Sequence, residues 1–258
     1  MINFKNQIKG KKAFLPFVTA GDPTINDTKK FIRALIEAGS SIIEIGIPFS
    51  DPIAEGKTIM EADERALKAG ATTDKIFKMV EELREEYKDF PFVFMTYLNP
   101  VFVYGYDKFF KECQRVGIEG IIIADLSFEE KKEVSSVASK YGVAVISLIA
   151  PTSENIIKMI ASEAEGFVYL VSSLGVTGVR SNITTDIKSI ADNIKKYTDI
   201  PVFVGFGIKD AASASRMASY ADGAIIGSAI ENIIAEHGQE ADGYIYDFAK
   251  SIVDAINE

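Results

Sequence analysis

The chain has 258 residues, of which 47% are hydrophobic and 25% are charged, and its formal net charge is -9. This acidic balance leaves no basic stripe to neutralise phosphates, which argues against a nucleic-acid partner, and no apolar run approaches the roughly 20 residues of a membrane span. Cys113 is the only cysteine, which excludes an internal disulfide and predicts a buried, inert thiol. With an amino terminus that lacks a signal peptide, these features predict a cytoplasmic protein.

Short β-type runs alternate with amphipathic helical stretches along the whole chain. Eight strands are predicted, at 13–19, 41–45, 92–96, 120–124, 144–148, 166–171, 201–205 and 223–226. Helices are predicted at 27–38, 73–87, 106–116, 129–141, 154–163, 184–197, 211–219, 229–234 and 243–256. The strands are rich in Val and Ile with little alternation, as is typical when both faces of a parallel sheet are covered. Eight βα units without a linker predict an α/β protein, a single-domain (β/α)8 barrel over residues 1–258. A doubly wound open sheet is the alternative, but no dinucleotide-binding fingerprint follows a strand.

The second predicted strand carries a carboxylate, Glu44, inside an apolar run, and the loop after it adds Asp51 and Glu55. An ionised carboxylate is costly to bury without a partner. Glu44 is therefore either satisfied by hidden hydrogen bonds, for example from Tyr169, or kept for proton chemistry. Active sites of such barrels form at the carboxyl ends of the strands, which favours general acid–base catalysis by two carboxylates. The alternatives are a turn-forming role for Asp51 and an exposed loop position for Glu55.

Three glycine-rich βα loops, at 175–178, 205–208 and 227–230, occupy the last third of the chain. Loops after the seventh and eighth strands of such barrels often bind a phosphate through backbone N–H groups. Ser228 is predicted to cap the helix at 229–234 and to add a hydroxyl donor. The alternative for any one of these loops is a tight turn without a ligand.

Several chemistries are excluded by the residues that the chain lacks. His237 is the only histidine and is predicted to be exposed, so the sequence offers neither a histidine-based zinc site nor a histidine-dependent triad. No predicted strand carries a lysine for a Schiff base, since Lys57 and Lys209 fall in predicted loops. Proton transfer by carboxylates on a phosphorylated substrate, without a metal, remains. A flat pocket or simple core is predicted for Phe17, Tyr97, Ile149, Tyr169 and Phe206.

Six motifs in this order make the chain resemble the tryptophan synthase alpha subunit over essentially its whole length. They read LPFVTAGDP at 15–23, EIGIPFSDP at 44–52, MTYLNP at 95–100, GVTG at 175–178, GFGI at 205–208 and GSAI at 227–230. The resemblance implies retro-aldol cleavage of indole-3-glycerol phosphate to indole and glyceraldehyde 3-phosphate. It also implies a beta-subunit partner in an alpha2-beta2 assembly, with pyridoxal phosphate on that partner and no cofactor on this chain.

The resemblance also assigns roles to individual residues. Glu44 matches the general acid–base, Glu55 the second catalytic carboxylate, and Thr177 the residue that orients the second carboxylate, with Tyr169 in support. The phosphate site is matched by Gly178, Gly207, Gly227 and Ser228. The indole pocket is matched by Phe17, Tyr97 and Phe206, with Tyr169 at its edge. The surface that meets the beta subunit is matched by Pro48, Asp51 and Asn99.

The sequence departs from the family pattern beside its second carboxylate. The pattern is Ala-Asp-Gly-Pro, whereas this chain reads AEGK at 54–57, so Glu55 is one methylene longer and Lys57 replaces a proline. Lys57 is predicted to pair with Glu55 and to lower its pKa. The segment 124–128 also lacks the proline that the family usually has there. The favoured hypothesis is an active alpha-type lyase. The alternatives are a catalytically weak subunit that acts mainly as a partner of the beta subunit, and a related phosphate-binding barrel with another substrate.

Overall fold

The computed structural model describes residues 4, 8, 10–152, 154–172, 187–205 and 207–258. Its strands are β1 Ala13–Thr19, β2 Ile43–Gly46, β3 Phe92–Thr96, β4 Ile118–Ile123, β5 Ala144–Val145, β6 Ser147–Ile149, β7 Val168–Val171, β8 Val202–Gly205 and β9 Gly223–Ile226. Its α-helices are α1 Ile25–Glu37, α2 Lys57–Lys68, α3 Thr73–Glu86, α4 Leu98–Tyr104, α5 Tyr106–Val116, α6 Lys131–Ala138, α7 Glu154–Ser162, α8 Ile187–Ile194, α9 Ala211–Tyr220, α10 Ser228–His237 and α11 Asp242–Asn257.

The sheet closes into a barrel. Its strand order is β5-β4-β3-β2-β1-β9-β8-β7-β6, and the pairings along it are parallel. The two ends of this order, β5 and β6, are consecutive pieces of the predicted fifth strand, separated by Ile146. The backbone N–H of Ile146 donates to the Ile121 carbonyl at 2.9 Å, so the chain stays against β4 across the break. The predicted barrel is confirmed, and the open-sheet alternative is wrong.

Each strand sends alternate side chains to two different cores. In β1, Leu15 points into the barrel, where it packs with residues such as Ile42 and Phe203. Phe14 and Val18 point outward and join the larger core between the sheet and the helices. Because the same period of two applies to every strand, the sequence determines which side chains enter the barrel.

Two helices that the sequence reasoning did not predict flank the carboxyl ends of the strands. The buried stripe of α2 consists of Ile59, Ala62, Asp63 and Ala66, so two alanines and an acid replace the large apolar residues that mark most amphipathic helices. Helix α4 has Pro100 in its first turn, where a missing N–H costs nothing, although the Asn-Pro pair resembles a turn. The other predicted helices are present, and their described ends shift by a few residues. The first three residues of the helix predicted at 184–197 lie outside the described residues.

Cys113 is buried, as predicted, and burial raises the pKa of its thiol. His237 is half-buried, and the prediction of an exposed ring is wrong because the imidazole stacks on Tyr244, with ring centroids 3.7 Å apart. In the described ranges, no helix is both long and apolar enough to cross a membrane.

The contact between β1 and β9 provides a test of barrel closure. A Cβ atom at Gly223 would lie 2.3 Å from the Ala13 carbonyl oxygen, and neither backbone can move without opening the pairing of β1 with β9. We expect Gly223→Ala to lower the free energy of unfolding by about 2–3 kcal/mol, measured by urea denaturation. Gly243→Ala is the matched control, because a Cβ there meets nothing within 4 Å and α11 gains helix propensity. Equal stability of the two variants would contradict this account of closure.

Candidate active site

Glu44 lies inside the barrel. It follows Ile42 by two residues and so points to the same face, and in the strand register it lies beside Phe17 of β1 and Val93 of β3. Its side chain is 1% exposed, and its Oε2 has no hydrogen-bond partner among the described residues. Burial, together with the nearby charge of Glu55, raises the pKa of Glu44 to about 8. The Glu44 carboxyl therefore keeps its proton near neutral pH and has one oxygen that the described protein groups do not satisfy.

Two aromatic rings reach the space around Glu44 because glycines leave room for them. A Cβ atom at Gly46 would lie 2.6 Å from the ring of Phe17, and one at Gly205 would lie 2.4 Å from the hydroxyl of Tyr169. Both aromatic side chains are buried. The pKa of Tyr169 is raised by burial and by the charge of Glu44, which places its hydroxyl near that carboxyl.

Glu55 is held by the loop between β2 and α2, and this loop is tied to β3 through Tyr97. The buried Tyr97 hydroxyl accepts a hydrogen bond from the Ala54 N–H at 3.0 Å, and its ring packs against Phe49 with centroids 5.3 Å apart. Glu55 is half-buried rather than exposed, so the alternative of a solvated loop residue is wrong. Its Oε2 is buried and has no partner among the described residues. Burial raises the pKa of Glu55 to about 7, an effect that hydrogen bonds from Asp63 and Tyr97 partly offset.

Asp63 is the site residue that the sequence reasoning missed. It lies on the buried stripe of α2 and is 5% exposed. Burial, followed by the charge of Glu55, raises its pKa. An acid at the i+4 position from Ile59, on an otherwise apolar helix face, is the same anomaly that drew attention to Glu44. The anomaly becomes visible only when residues 57–68 are known to form a helix.

Lys57 does not pair with Glu55, so that prediction is wrong. Lys57 is the first residue of α2, its side chain is 87% exposed, and its ammonium lies 3.5 Å from the Glu61 carboxylate. The two residues are one helical turn apart on the outer face of α2, whereas Glu55 precedes the helix and lies on its inner side.

A second group of acids lies beside the site, where β1, α2 and α10 meet. Arg65 donates two hydrogen bonds to Asp22, at 2.9 and 2.6 Å, and Asp22 is fully buried. Glu231, also fully buried, accepts the Thr19 N–H at 2.6 Å. Burial raises the pKa of Glu231 well above its usual range, and the charge of Asp22 raises it further. Within the described ranges, no group of three or more His, Cys, Asp and Glu residues is arranged to hold a metal ion.

The predicted phosphate loops lie only partly within the described residues. Gly207 is exposed and has a φ of +73°, a conformation that favours glycine, and no atom would contact a Cβ there. Gly227 is the N-cap of α10 and also makes room for Phe17, since a Cβ would lie 3.1 Å from that ring. Ser228 is the first residue of α10 and not its cap, because the helix begins one residue earlier than predicted. Outside the described residues lie Thr177, Gly178 and Phe206.

The rim around this site combines polar and apolar exposed side chains. Asp51 and Asn99 are exposed, whereas Pro48 is buried in the chain. Beside them, Phe102 is 66% exposed and Ile53 is 76% exposed. Asp125, at the end of β4, accepts the Leu98 N–H at 2.7 Å and so holds the start of α4.

Comparisons with known proteins agree with one another. A protein-family model described as "Tryptophan synthase alpha chain" matches residues 4–255. The tryptophan synthase alpha chain of Lacticaseibacillus casei is 44% identical over 257 residues, which cover 100% of this chain and 96% of that protein. The solved alpha subunit from Legionella pneumophila str. Paris superposes with a TM-score of 0.89 at 33% identity, covering 99% and 98% of the two chains. A chain in a structure of the tryptophan synthase a2b2 complex from Pyrococcus furiosus gives a TM-score of 0.84 at 35% identity, covering 95% and 99%.

The burial of Glu44 predicts a pH-dependent stability. Because folding raises the pKa of Glu44 from 4.5 to about 8, the proton that it holds stabilises the folded chain fully below pH 4.5. This contribution is lost as the pH rises to about 8, where the folded carboxyl must ionise while buried. We expect Glu44→Gln, which keeps the shape and cannot ionise, to gain stability over the original chain by roughly 3–5 kcal/mol across that window.

The measurement is the free energy of unfolding in urea at intervals between pH 5 and pH 9. Glu85→Gln serves as the control, because Glu85 is exposed and its replacement should give a flat difference. A difference between Glu44→Gln and the original chain that does not change with pH would contradict the raised pKa.

Proposed function

The chain belongs to the tryptophan synthase alpha chain family, and we propose that it cleaves indole-3-glycerol phosphate by a retro-aldol reaction to indole and glyceraldehyde 3-phosphate. The observation that supports this most directly is a pair of carboxyls, the buried Glu44 and the half-buried Glu55, whose pKa values burial raises to about 8 and about 7. Each has one buried oxygen without a described protein partner. Such oxygens are available to hydrogen-bond and exchange protons with a bound substrate.

In this proposal Glu44 carries out both proton transfers. Its protonated carboxyl donates to C3 of the indole ring, which places positive charge on the ring. The resulting carboxylate takes the proton of the adjacent glycerol hydroxyl as the carbon–carbon bond breaks. The electrons of that bond return to the ring, which restores indole, and the hydroxyl carbon becomes the aldehyde of glyceraldehyde 3-phosphate. A carboxyl with a pKa of about 8 supplies both forms near neutral pH.

Glu55 acts at the nitrogen of the indole ring, whereas Glu44 acts at C3. Its carboxylate accepts the indole N–H and stabilises the positive charge that develops when C3 is protonated. Tyr97 ties the backbone before Glu55 to the barrel, so the carboxylate is held ready before the reaction begins. The family resemblance adds Thr177 as a further residue that orients Glu55, and Tyr169 as support beside Glu44.

The substrate's phosphate is proposed to bind at the amino-terminal end of α10. This ten-residue helix directs its first N–H groups and Ser228 toward the carboxyl ends of the strands, and helix amino termini favour anions. Gly207 and Gly227 permit close backbone approach, and the resemblance adds Gly178. The indole ring then lies against Phe17 and Tyr97, and the resemblance adds Phe206.

We propose a beta subunit as the protein partner, in an alpha2-beta2 assembly like that of the Pyrococcus furiosus relative. The exposed apolar side chains of Ile53 and Phe102 lie on the rim of the site with Asp51 and Asn99, and such a patch favours a protein contact. Pyridoxal phosphate belongs to that partner in this proposal, and the two proton transfers by Glu44 need only side chains of this chain. We take residues 1–258 as one cytoplasmic barrel domain, in line with a biosynthetic enzyme family.

The alternative of a catalytically weak subunit depends on the Glu55 side chain being too long to contact the substrate correctly. No comparison favours that alternative. The contacts of Glu55 with Tyr97 and Asp63 instead fit the longer side chain. The two hypotheses differ over Glu55→Asp. We expect this variant to cleave the substrate more slowly, because the shorter acid loses those contacts, whereas a rise in cleavage would favour the weak-subunit alternative.

The central test is the release of indole from indole-3-glycerol phosphate by the purified chain with a beta subunit. We expect Glu44→Gln to lower kcat by about 10²–10⁴-fold while the fold is kept, because an amide cannot exchange the proton. Cleavage by the original chain no faster than by Glu44→Gln would overturn the proposed function. Tight binding of indolepropanol phosphate, a mimic of the substrate, would rule out a related barrel with another substrate.

The rim predicts a separate effect on assembly. We expect Phe102→Ser to weaken binding to the beta subunit by about tenfold, measured by isothermal titration, because an exposed aromatic anchor is lost. Ile156→Ser is the matched control, since Ile156 is an exposed apolar residue of α7. Equal affinities for the two variants would place the partner on another surface.

A further inference from the structure

Glu55 and Asp63 face one another without a counter-ion. The two nearest cationic side chains along the chain are already paired, Arg65 with Asp22 and Lys57 with Glu61. Among the residues that the structure describes, no lysine, arginine or histidine nitrogen lies within 4 Å of either carboxyl. Two neighbouring carboxyls that are mostly buried cannot both ionise cheaply, so the pair retains a proton at neutral pH.

The burial of the two groups indicates which carboxyl carries the charge. The Tyr97 hydroxyl oxygen accepts the Ala54 N–H, so its own hydrogen is free to point toward Glu55. Asp63 is hydrogen-bonded to Glu55 and also accepts the backbone N–H of Phe49. Because each carboxyl has one such donor, burial decides between them: Asp63 is 5% exposed and Glu55 is only half-buried, so the negative charge is less costly on Glu55 and Asp63 keeps the proton.

The local fold explains why these groups meet. Gly56 is the N-cap of α2, so Glu55 directly precedes the cap of the helix that carries Asp63. Asp63 lies on the inward stripe of that helix with Ile59 and Ala66. The carboxyl of Glu55 extends about 1.5 Å further than that of an aspartate, which brings it within reach of Asp63.

We propose that Asp63 is a positioning residue for the reaction, whose protonated carboxyl donates a hydrogen bond to Glu55 and thereby keeps Glu55 ionised and directed at the ring nitrogen of the substrate. This inference rests on the proposed function. It adds a residue of α2 to the site and explains how the chain uses the longer acid at position 55. Asp63 itself does not contact the substrate.

Other ionisable groups face this pair and contribute to any pH profile. From β3 there is Tyr97. From the loop after β1 there is Asp22, which Arg65 of α2 neutralises and behind which Glu231 of α10 lies. From β2 there is Glu44, which interacts with Glu55 and also loses a proton in the alkaline range. The test must therefore separate Asp63 from Glu44, and it does so by comparing two substitutions at position 63.

The experiment measures kcat and KM for indole release by the complex with a beta subunit from pH 5.5 to pH 9.5. We expect Asp63→Ala to lower kcat at pH 7 by about 10- to 100-fold with little change in KM, because Glu55 loses a donor and its orientation. The acid limb of the profile should move to higher pH, since Glu55 then binds its proton more tightly. Asp63→Asn keeps a donor, so we expect it to recover at least about tenfold of that loss.

The alkaline limb gives the readout that a structural role would not change. In the original chain both Asp63 and Glu44 lose protons there, so log(kcat/KM) should fall with a slope steeper than one, whereas Asp63→Asn should fall with a slope near one. Glu64→Gln is the matched control, one residue along α2 and exposed, and its profile should overlay that of the original chain.

The outcomes are distinguishable. If Asp63→Ala retains full kcat, or if Asp63→Asn is as slow as Asp63→Ala with an unchanged alkaline slope, the positioning role is overturned while the proposed function stands. If Asp63→Ala fails to fold, the alkaline slope of Asp63→Asn decides alone. If the original chain releases no indole, the proposed function fails, and this inference fails with it.

Discussion

Several carboxyl groups are buried at one end of the apolar barrel. The described residues supply fewer cations there than acids. Glu44, Glu55 and Asp63 have no ion-pair partner in the described part of the chain. Desolvation is the largest cause of the raised pKa of each of the three. Burying these acids lowers the free energy of unfolding of the barrel near neutral pH. It also brings their pKa values into the range in which acid–base catalysis is most effective.

The fold determines how firmly each acid is held. Glu44 belongs to a strand whose neighbours pair with it on both sides, so its position is fixed by the sheet. Glu55 belongs to a loop, and its position depends on Tyr97 and Asp63. An acid held by a strand suits two proton transfers at neighbouring atoms of the substrate, whereas an acid held by a loop suits a single contact to the bound ring. This difference matches the separate roles that we propose for the two residues.

Much of the fold and the centre of the site could be predicted from sequence, because both depend on strong periodic signals. Continuous Val and Ile runs mark buried parallel strands, and a carboxylate within such a run marks Glu44. Helix α2 was missed because its buried face carries two alanines and an acid where large apolar residues are usual, and Asp63 was missed with it. The predicted Lys57–Glu55 pair is wrong because nearness in sequence does not indicate which helix face a side chain takes. Three further residues, Thr177, Gly178 and Phe206, lie outside the described residues and stay predictions.

Asp22 joins two elements that serve different parts of the site. It binds Arg65 of α2 and lies against Glu231 of α10, the helix at the proposed phosphate site. Loss of Arg65 alone would leave a buried acid beside another acid, at a cost of roughly 3–5 kcal/mol. A substitution at position 22, 65 or 231 therefore changes the charge balance of the other two. Through Asp22, helix α2, which follows the Glu55 loop, is coupled electrostatically to helix α10, although the two acids and the arginine that link them are not among the proposed substrate contacts.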